Sequence, residues 1–161
     1  TYLDLLYGII LPSGADAVNA VVNNTYGYDE FINKMNELAK KLNLTSTSFS
    51  NPIGKDSPTN YSTAKDLSIL LKYALKNETF KTIFTTKTYT TSNKIKLEST
   101  VNSYKNILNT DEIIGAKSGK NCKNFTIFAT SRTMMLSTRI CTPETRKHRA
   151  WNKSVKPVIN F

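Results

Sequence analysis

The sequence is poor in the residues that usually bind metal ions or build disulfide frameworks. Its 161 residues include two cysteines, Cys122 and Cys141, and one histidine, His148. The cysteines do not form a Cys-x-x-Cys pair, and these side chains are too few to make a structural zinc site. We therefore expect no metal centre, and we expect His148, which lies in a basic run, at the surface.

Long apolar runs and leader signals are also missing. No stretch approaches the roughly 18 apolar residues of a membrane span, and no signal-peptide pattern opens the chain. With 161 residues and 39% hydrophobic content, the chain is long and apolar enough for one globular domain. Thr1 and Asp4 match the capping pattern of a helix start. A chain that begins on a cap is expected to be part of a longer protein.

Acidic residues are scarce, and the imbalance is greatest late in the chain. The 22 lysines and arginines exceed the 12 acidic residues, which gives a net charge of +10. Residues 113–161 hold ten basic residues and one acidic residue. Such a region suits nucleic acid, an anionic membrane or wall polymer, or a substrate carboxylate, although charge alone favours a solvated surface. The basic residues are scattered and no nucleic-acid-binding motif accompanies them, so we expect no nucleic-acid partner.

Hydrophobic residues with a 3.6-residue period predict four helices in the first half of the chain. The first runs from Tyr2 to Ile10 and ends before Pro12. The second, in SGADAVNAVVNN, is opened by Ser13. The third lies in YDEFINKMNELAKKLNL with Asp29 as its N-cap, and the fourth lies in STAKDLSILLKYALK.

The second half of the chain has a pattern that favours strands. The Thr-rich alternation of TIFTTKTYTTSNKIKLES predicts strands or an extended hairpin. Three further strands are predicted at 112–118, 125–131 and 134–141, and the basic segment 144–156 is predicted to be helical. Helices followed by antiparallel strands and a last helix predict an α+β fold. Because no repeat or linker interrupts the chain, residues 1–161 are expected to form a single domain.

The two cysteines can be placed relative to the last predicted hairpin. If residue 131 pairs with residue 134, Cys141 falls opposite residue 124, two positions from Cys122. This spacing leaves a disulfide and a pair of free thiols both open.

Four segments carry a resemblance to a known family. They are DLLYGIILPSGADAVNA, STSFSNPIG, YSTAKDL and IIGAKSGKN, in that order. Their order and spacing resemble those of the D-alanyl-D-alanine carboxypeptidases, the low-molecular-weight penicillin-binding proteins, from Asp4 to about Trp151. The resemblance implies a penicillin-binding, β-lactamase-like fold with helices packed on an antiparallel sheet. It also implies a serine-type peptidase that needs no metal or cofactor.

The family carries three active-site motifs, and two of them match here. The resemblance makes Lys117-Ser118-Gly119 the Lys-Thr/Ser-Gly motif of the edge strand and Ser13 the serine of Ser-x-Asn. It implies that Ser13 and Lys117 are catalytic, and that Ser118, Gly119 and Lys120 bind substrate. In the family a lysine of lowered pKa activates the nucleophilic serine, and the second hydroxyl relays protons. The strand lysine attracts the substrate carboxylate, and backbone N–H groups, here including that of Lys120, form the oxyanion hole.

The sequence departs from the family pattern at two places. Ala15 stands where Ser-x-Asn has its asparagine, which removes a carboxamide that helps to hold the substrate amide. In the family the nucleophile motif, Ser-x-x-Lys, lies well before Ser-x-Asn, and only twelve residues precede Ser13. The motif is therefore expected to lie outside this chain, and the chain alone is expected to be inactive.

A second Ser-x-x-Lys lies inside the chain, at Ser62-Thr-Ala-Lys65. By resemblance it falls on the family's YSTARDL segment, away from the nucleophile. The residues themselves predict an N-cap, with Thr63 and Asp66 forming a capping box before an apolar helix. We therefore leave Ser62 out of the predicted site.

The resemblance also implies a substrate, a location and a means of association. The expected substrate is the peptidoglycan stem peptide ending in D-Ala-D-Ala, β-lactams are the expected inhibitors, and the location is extracytoplasmic. The alternative is a catalytically inactive relative that binds peptidoglycan or acts as a scaffold. In this fold the first strands pair beside the last one, so without them 134–141 is expected to be an open sheet edge through which chains associate or swap.

Overall fold

The computed structural model describes residues 1–100, 113–119, 125–130, 133–138 and 155–160. Helices come first along these residues and strands follow. The helices are α1 (Tyr2–Ile10), α2 (Ala15–Asn23), α3 (Tyr28–Lys41), α4 (Ala64–Ala74) and α5 (Glu78–Thr85). The strands are β1 (Thr88–Thr90), β2 (Lys96–Glu98), β3 (Ile113–Gly119), β4 (Phe125–Thr130), β5 (Thr133–Thr138) and β6 (Val155–Asn160).

The first helix is confirmed with its predicted ends. The Thr1 side chain accepts a hydrogen bond from the Asp4 N–H, and the Asp4 carboxylate bonds back to the Thr1 backbone, so the capping box is complete. Asp4 also accepts hydrogen bonds from the Tyr89 and Ser92 hydroxyls, at 2.9 and 2.6 Å. The start of α1 is thereby tied to the hairpin of β1 and β2.

The predicted starts of the next two helices are wrong by one or two residues. The N-cap of α2 is Gly14 and not Ser13, and the N-cap of α3 is Gly27 and not Asp29. Ser13 has a φ of 62° and belongs to the turn before the helix. Gly27 has a φ of 76°, a conformation that glycine adopts without a steric penalty.

Only one of the two predicted hydrogen bonds of the α4 capping box is present. Thr63 is the N-cap and accepts from the Asp66 N–H, as expected. The Asp66 carboxylate does not close the box, because it accepts from the Ser46 N–H at 2.9 Å and from the Thr47 hydroxyl at 2.7 Å. The same carboxylate therefore fixes the loop that leads into α4.

Helix α5 was not expected, because the Thr-rich stretch from residue 82 predicts strands. Asn77 caps the helix by accepting from the Phe80 N–H at 2.9 Å. Phe80, Ile83 and Phe84 share one face, at the spacing of a helix. The predicted hairpin is confirmed further on, where β1 pairs antiparallel with β2.

The larger described sheet is antiparallel, with the order β3-β4-β5-β6. The expectation that 134–141 forms an open edge is wrong for β5, because β6 pairs with it. Val155 and Lys156, predicted as the end of a helix, belong to β6, while 144–154 lies outside the described residues. Proline has no backbone N–H to donate to a neighbouring strand. Pro157 fits β6 because this strand is the outer one of the described sheet, and one of its sides has no partner strand there.

The pairing of β4 with β5 differs from the one predicted. Ala129 pairs with Met134, whereas the predicted hairpin places residue 131 opposite Met134. The register is therefore displaced by two residues. Cys122 and Cys141 lie outside the described residues, so their pairing stays a prediction.

The described core joins α1 to α4, α5 and the small hairpin. One buried cluster contains Leu71 and Phe84, and a second contains Tyr7, Leu11 and Ile83. The Tyr7 ring stacks on Tyr89 with centroids 3.7 Å apart. This packing holds the C-terminal end of α1 in place, from which the chain turns towards Ser13.

Candidate active site

The turn between α1 and α2 positions Ser13. Leu11 is completely buried at 0% exposure, and its N–H donates to the Tyr7 carbonyl at 2.9 Å. The Gly14 N–H folds back to the Gly8 carbonyl at 2.9 Å, and a Cβ on Gly14 would lie 3.0 Å from that oxygen. Ser13 lies between these two anchors, exposed and with a φ of 62°. Few non-glycine residues take this conformation, so the surrounding contacts hold it.

Strand β3 carries the predicted site residues Lys117, Ser118 and Gly119. It packs against α5 at Gly115, where a Cβ would lie 2.5 Å from the Phe84 Cδ1 and 2.6 Å from the Phe84 carbonyl oxygen. Only glycine allows this approach, because real Cβ atoms do not come so close to other heavy atoms. Ala116, the next residue, is buried at 3% exposure. The strand is therefore fixed just before Lys117.

Lys117 and Ser13 meet in the structure. The Lys117 Nζ donates a short hydrogen bond to the Ser13 Oγ and another to the Ser118 carbonyl at 2.7 Å. Burial lowers the pKa of Lys117 from its ordinary value of 10.5, because the charged ammonium loses hydration. A partly desolvated ammonium beside a hydroxyl attracts anions and withdraws electrons from that hydroxyl.

Ser118 has a partner that the sequence did not reveal. Its Oγ lies 2.6 Å from the Oγ1 of Thr100, and the Thr100 N–H donates to the Leu11 carbonyl at 3.0 Å. Thr100 follows the small hairpin, 18 residues before Ser118. No spacing rule connects two such positions, so the sequence alone carries no signal for this contact.

The remaining predicted residues lie close by or outside the described part of the chain. Gly119 ends β3, where it pairs with Phe125 of β4. Lys120 lies outside the described residues, so its role stays a prediction. Ala15 is exposed as the first residue of α2, two residues beyond Ser13.

The Ser-x-x-Lys at residues 62–65 belongs to a structural network. The Ser62 hydroxyl lies 2.8 Å from the Thr47 Oγ1, and Thr47 donates to Asp66 at 2.7 Å. Lys65 is exposed on α4. These contacts support the interpretation of this segment as a helix start.

Two features are absent from the residues that the structure describes. No group of three potential metal ligands occurs among the residues the structure describes. No helix within the same residues is both long and apolar enough to cross a membrane.

The fold places the chain among the penicillin-binding proteins. Over 91% of its length it matches penicillin-binding protein D2 from Listeria monocytogenes in its cefotaxime-bound form, with a TM-score of 0.75, 26% identity and coverage of 62% of that chain. It matches the Streptomyces K15 DD-transpeptidase over 90% of its length, with a TM-score of 0.73, 28% identity and coverage of 63% of that chain. The class is the α+β penicillin-binding fold expected from the sequence.

Sequence comparison defines the family within that class. Residues 1–140 match the sequence model of the family described as D-alanyl-D-alanine carboxypeptidase. The D-alanyl-D-alanine carboxypeptidase of Streptomyces sp. strain K15 is 36% identical over 148 residues, which cover 82% of this chain. The chain belongs to the D-alanyl-D-alanine carboxypeptidase family, a family of serine-type hydrolases. It spans 50% of the length of that curated relative.

Proposed function

We propose that these residues form part of the active site of a serine-type D-alanyl-D-alanine carboxypeptidase that acts on peptidoglycan stem peptides. The observation that carries the proposal is the hydrogen bond from the Lys117 Nζ to the Ser13 Oγ. These residues are 104 positions apart, and by resemblance each belongs to a different motif of the family. A chance surface contact would not be expected to join the two.

The end of β3 suits a peptide that terminates in a carboxylate. The Lys117 ammonium supplies positive charge, and the Ser118 hydroxyl supplies a donor on the next residue. Strand β3 is at one side of the described sheet, so its free backbone groups can pair with an extended substrate. Gly119 leaves room for the substrate backbone, and the Lys120 N–H would be one oxyanion donor.

The reaction then divides into two acyl transfers. A serine of the family's Ser-x-x-Lys motif gives its proton to the lysine of that motif and attacks the carbonyl of the penultimate D-Ala. The C–N bond to the last D-Ala breaks, and the Ser13 hydroxyl, polarised by Lys117, donates its proton to the departing amine while it takes up the proton held by the motif lysine. Water then attacks the ester, returns one proton to the serine and releases the shortened peptide as its carboxylic acid. β-Lactams would acylate the same serine, and the substrate implies an extracytoplasmic location.

A specific observation favours a second function, a catalytically inactive peptidoglycan-binding relative. Ala15 occupies the position of the asparagine in Ser-x-Asn and presents only a methyl group, exposed at the start of α2. The site then retains the carboxylate-binding side while it lacks one donor to the substrate amide. Such a groove would bind stem peptides and turn them over slowly or not at all.

Acylation by benzylpenicillin separates the two functions. The natural polypeptide that carries these 161 residues is incubated with benzylpenicillin, and the adduct is weighed and mapped by mass spectrometry. An active enzyme gives a stoichiometric adduct on a serine of a Ser-x-x-Lys motif other than Ser62. Ser13→Ala is expected to slow acylation by about 100-fold or more, whereas the matched control Ser62→Ala acylates at the wild-type rate. No wild-type adduct would favour the binding function, and an adduct on Ser62 would contradict our assignment.

A further inference from the structure

Thr100 contacts both segments that build the site, although the proposed reaction gives it no role. Its side-chain hydroxyl lies 2.6 Å from the Ser118 hydroxyl. Its backbone N–H donates to the carbonyl of Leu11, 3.0 Å away, and Leu11 precedes Ser13 by two residues. The backbone contact and the side-chain contact are separate, so a substitution can remove the second and keep the first.

We propose that Thr100 is a positioning residue that orients the Ser118 hydroxyl towards the terminal carboxylate of the substrate. This inference rests on the proposed function, because it assigns to Ser118 the task of donating to a carboxylate. Thr100 itself would not touch the substrate. It would act through Ser118.

Ser118 needs such a partner because it is not branched at Cβ. A threonine has few side-chain conformations, since two heavy atoms on Cβ restrict χ1. A serine hydroxyl rotates among three staggered positions with less restriction. The hydrogen bond from Thr100 selects one of them, and it therefore supplies the restraint that a threonine would have through its methyl group.

The proton count fixes the direction of the hydrogen bond when substrate is bound. Either hydroxyl can be the donor in the free protein. A hydroxyl has one proton, so once Ser118 donates to a carboxylate it can only accept from Thr100. A chain of donors from Thr100 to Ser118 to the carboxylate then forms, and each bond polarises the next.

The direct test removes the Thr100 hydroxyl from the natural polypeptide that carries this chain. Thr100→Val keeps the side-chain shape and the backbone contact, and Thr100→Ser keeps the hydroxyl. We expect Thr100→Val to lower kcat/KM for diacetyl-L-Lys-D-Ala-D-Ala by about three- to tenfold, and Thr100→Ser to restore it. The C-terminal amide of the same tripeptide lacks the carboxylate, so its kcat/KM should not change. Equal losses on the acid and the amide would overturn the inference in favour of a general structural role.

Two substitutions of Ser118 test whether Thr100 acts through this hydroxyl. Ser118→Thr supplies its own restraint at χ1, so Thr100→Val should cost less there than in the wild-type background. Ser118→Ala has no hydroxyl to orient, so Thr100→Val should have no further effect. An undiminished loss in both backgrounds would mean that Thr100 acts on something other than Ser118.

A ligand-free measurement keeps this inference distinct from the proposed function. NMR coupling constants between Hα and Hβ of Ser118 report the populations of its χ1 rotamers. We expect one dominant rotamer in the wild type and in Thr100→Ser, and averaging in Thr100→Val. This result with no turnover of any peptide would contradict the proposed function and support the positioning role. The same rotamer populations in all three proteins would contradict the positioning role whatever the activity.

Discussion

Replacing Gly115 with alanine tests the packing that places β3 beside Ser13. A Cβ at this position would lie 2.5 Å from the Phe84 Cδ1 and 2.6 Å from the Phe84 carbonyl oxygen. Carbon atoms pack at about 3.5 to 4.0 Å, so the strand or the helix would have to move by about 1 Å. The ring could rotate away in part, but the carbonyl belongs to α5 and cannot.

The expected cost follows from these contacts. Overpacking a rigid site costs about 1–3 kcal/mol, and the loss of unfolded-state freedom on changing glycine to alanine offsets about 0.4–1 kcal/mol. We therefore expect Gly115→Ala to lower the free energy of unfolding by about 1–2 kcal/mol. In a domain of 150 residues or more this lowers Tm by about 2–8 °C. Urea unfolding followed by circular dichroism gives the free energy directly.

Two comparisons make the result specific. Gly8→Ala is the matched control, because its Cβ would lie 3.3 Å from the Ala17 Cβ and alanine is favoured over glycine in a helix by about 1 kcal/mol. Because the Ala17 methyl has to give way by only a few tenths of an ångström, Gly8→Ala should lose less stability than Gly115→Ala. In a Phe84→Leu background the cost of Gly115→Ala should shrink without vanishing, because the carbonyl contact stays. A stability of Gly115→Ala within about 0.5 kcal/mol of the wild type would refute the close approach of β3 to α5.

Three further predictions concern charge and the altered motif. Burial lowers the pKa of Lys117 below 10.5, so between the lowered pKa and 10.5 the unfolded chain binds more protons than the folded chain. The free energy of unfolding should therefore increase with pH in this range, and Lys117→Met should abolish that increase. Hydrogen bonds led by that from Ser92 hold the pKa of Asp4 far below 3.8, so its contribution is present above pH 3.8 and is lost below it. Asp4→Asn should flatten this acid loss in thermal melts, and an unchanged pH profile would contradict the role of Asp4. Ala15→Asn supplies the carboxamide that the motif lacks and should speed acylation by benzylpenicillin by about three- to tenfold; no change would mean that Ala15 does not limit the reaction.

The parts of the fold that could be predicted were those with local signals. Thr1 and Asp4 fix the start of α1 through contacts within one helical turn, so their pattern is visible in four consecutive residues. Ser13 and Lys117 follow from the resemblance, and the structure joins their side chains by a hydrogen bond. The prediction that Ser13 opens α2 is wrong, because Ser13 lies in the turn before the helix. Its positive φ depends on the contacts of Leu11 and Gly14 on either side.

The parts that could not be predicted depend on partners distant in sequence. Helix α5 has a Thr-rich composition that favours strands, and packing of Phe84 against β3 outweighs that preference. Strand β6 contains Pro157, which argues for a helix end or a turn until its place at the side of the sheet is known. No sequence motif marks Thr100, since the proposed role of this residue depends on a contact with Ser118, 18 residues further along the chain.

The release of D-Ala from diacetyl-L-Lys-D-Ala-D-Ala is the measurement that tests the central assignment most directly. It is made on the natural polypeptide that carries this chain, with Ser13→Ala, Lys117→Met and the control Ser62→Ala. We predict wild-type release that falls by about 100-fold or more in the first two variants and is unchanged in the third. Full activity in Ser13→Ala or Lys117→Met would contradict the assignment of this hydroxyl and ammonium to the carboxypeptidase site.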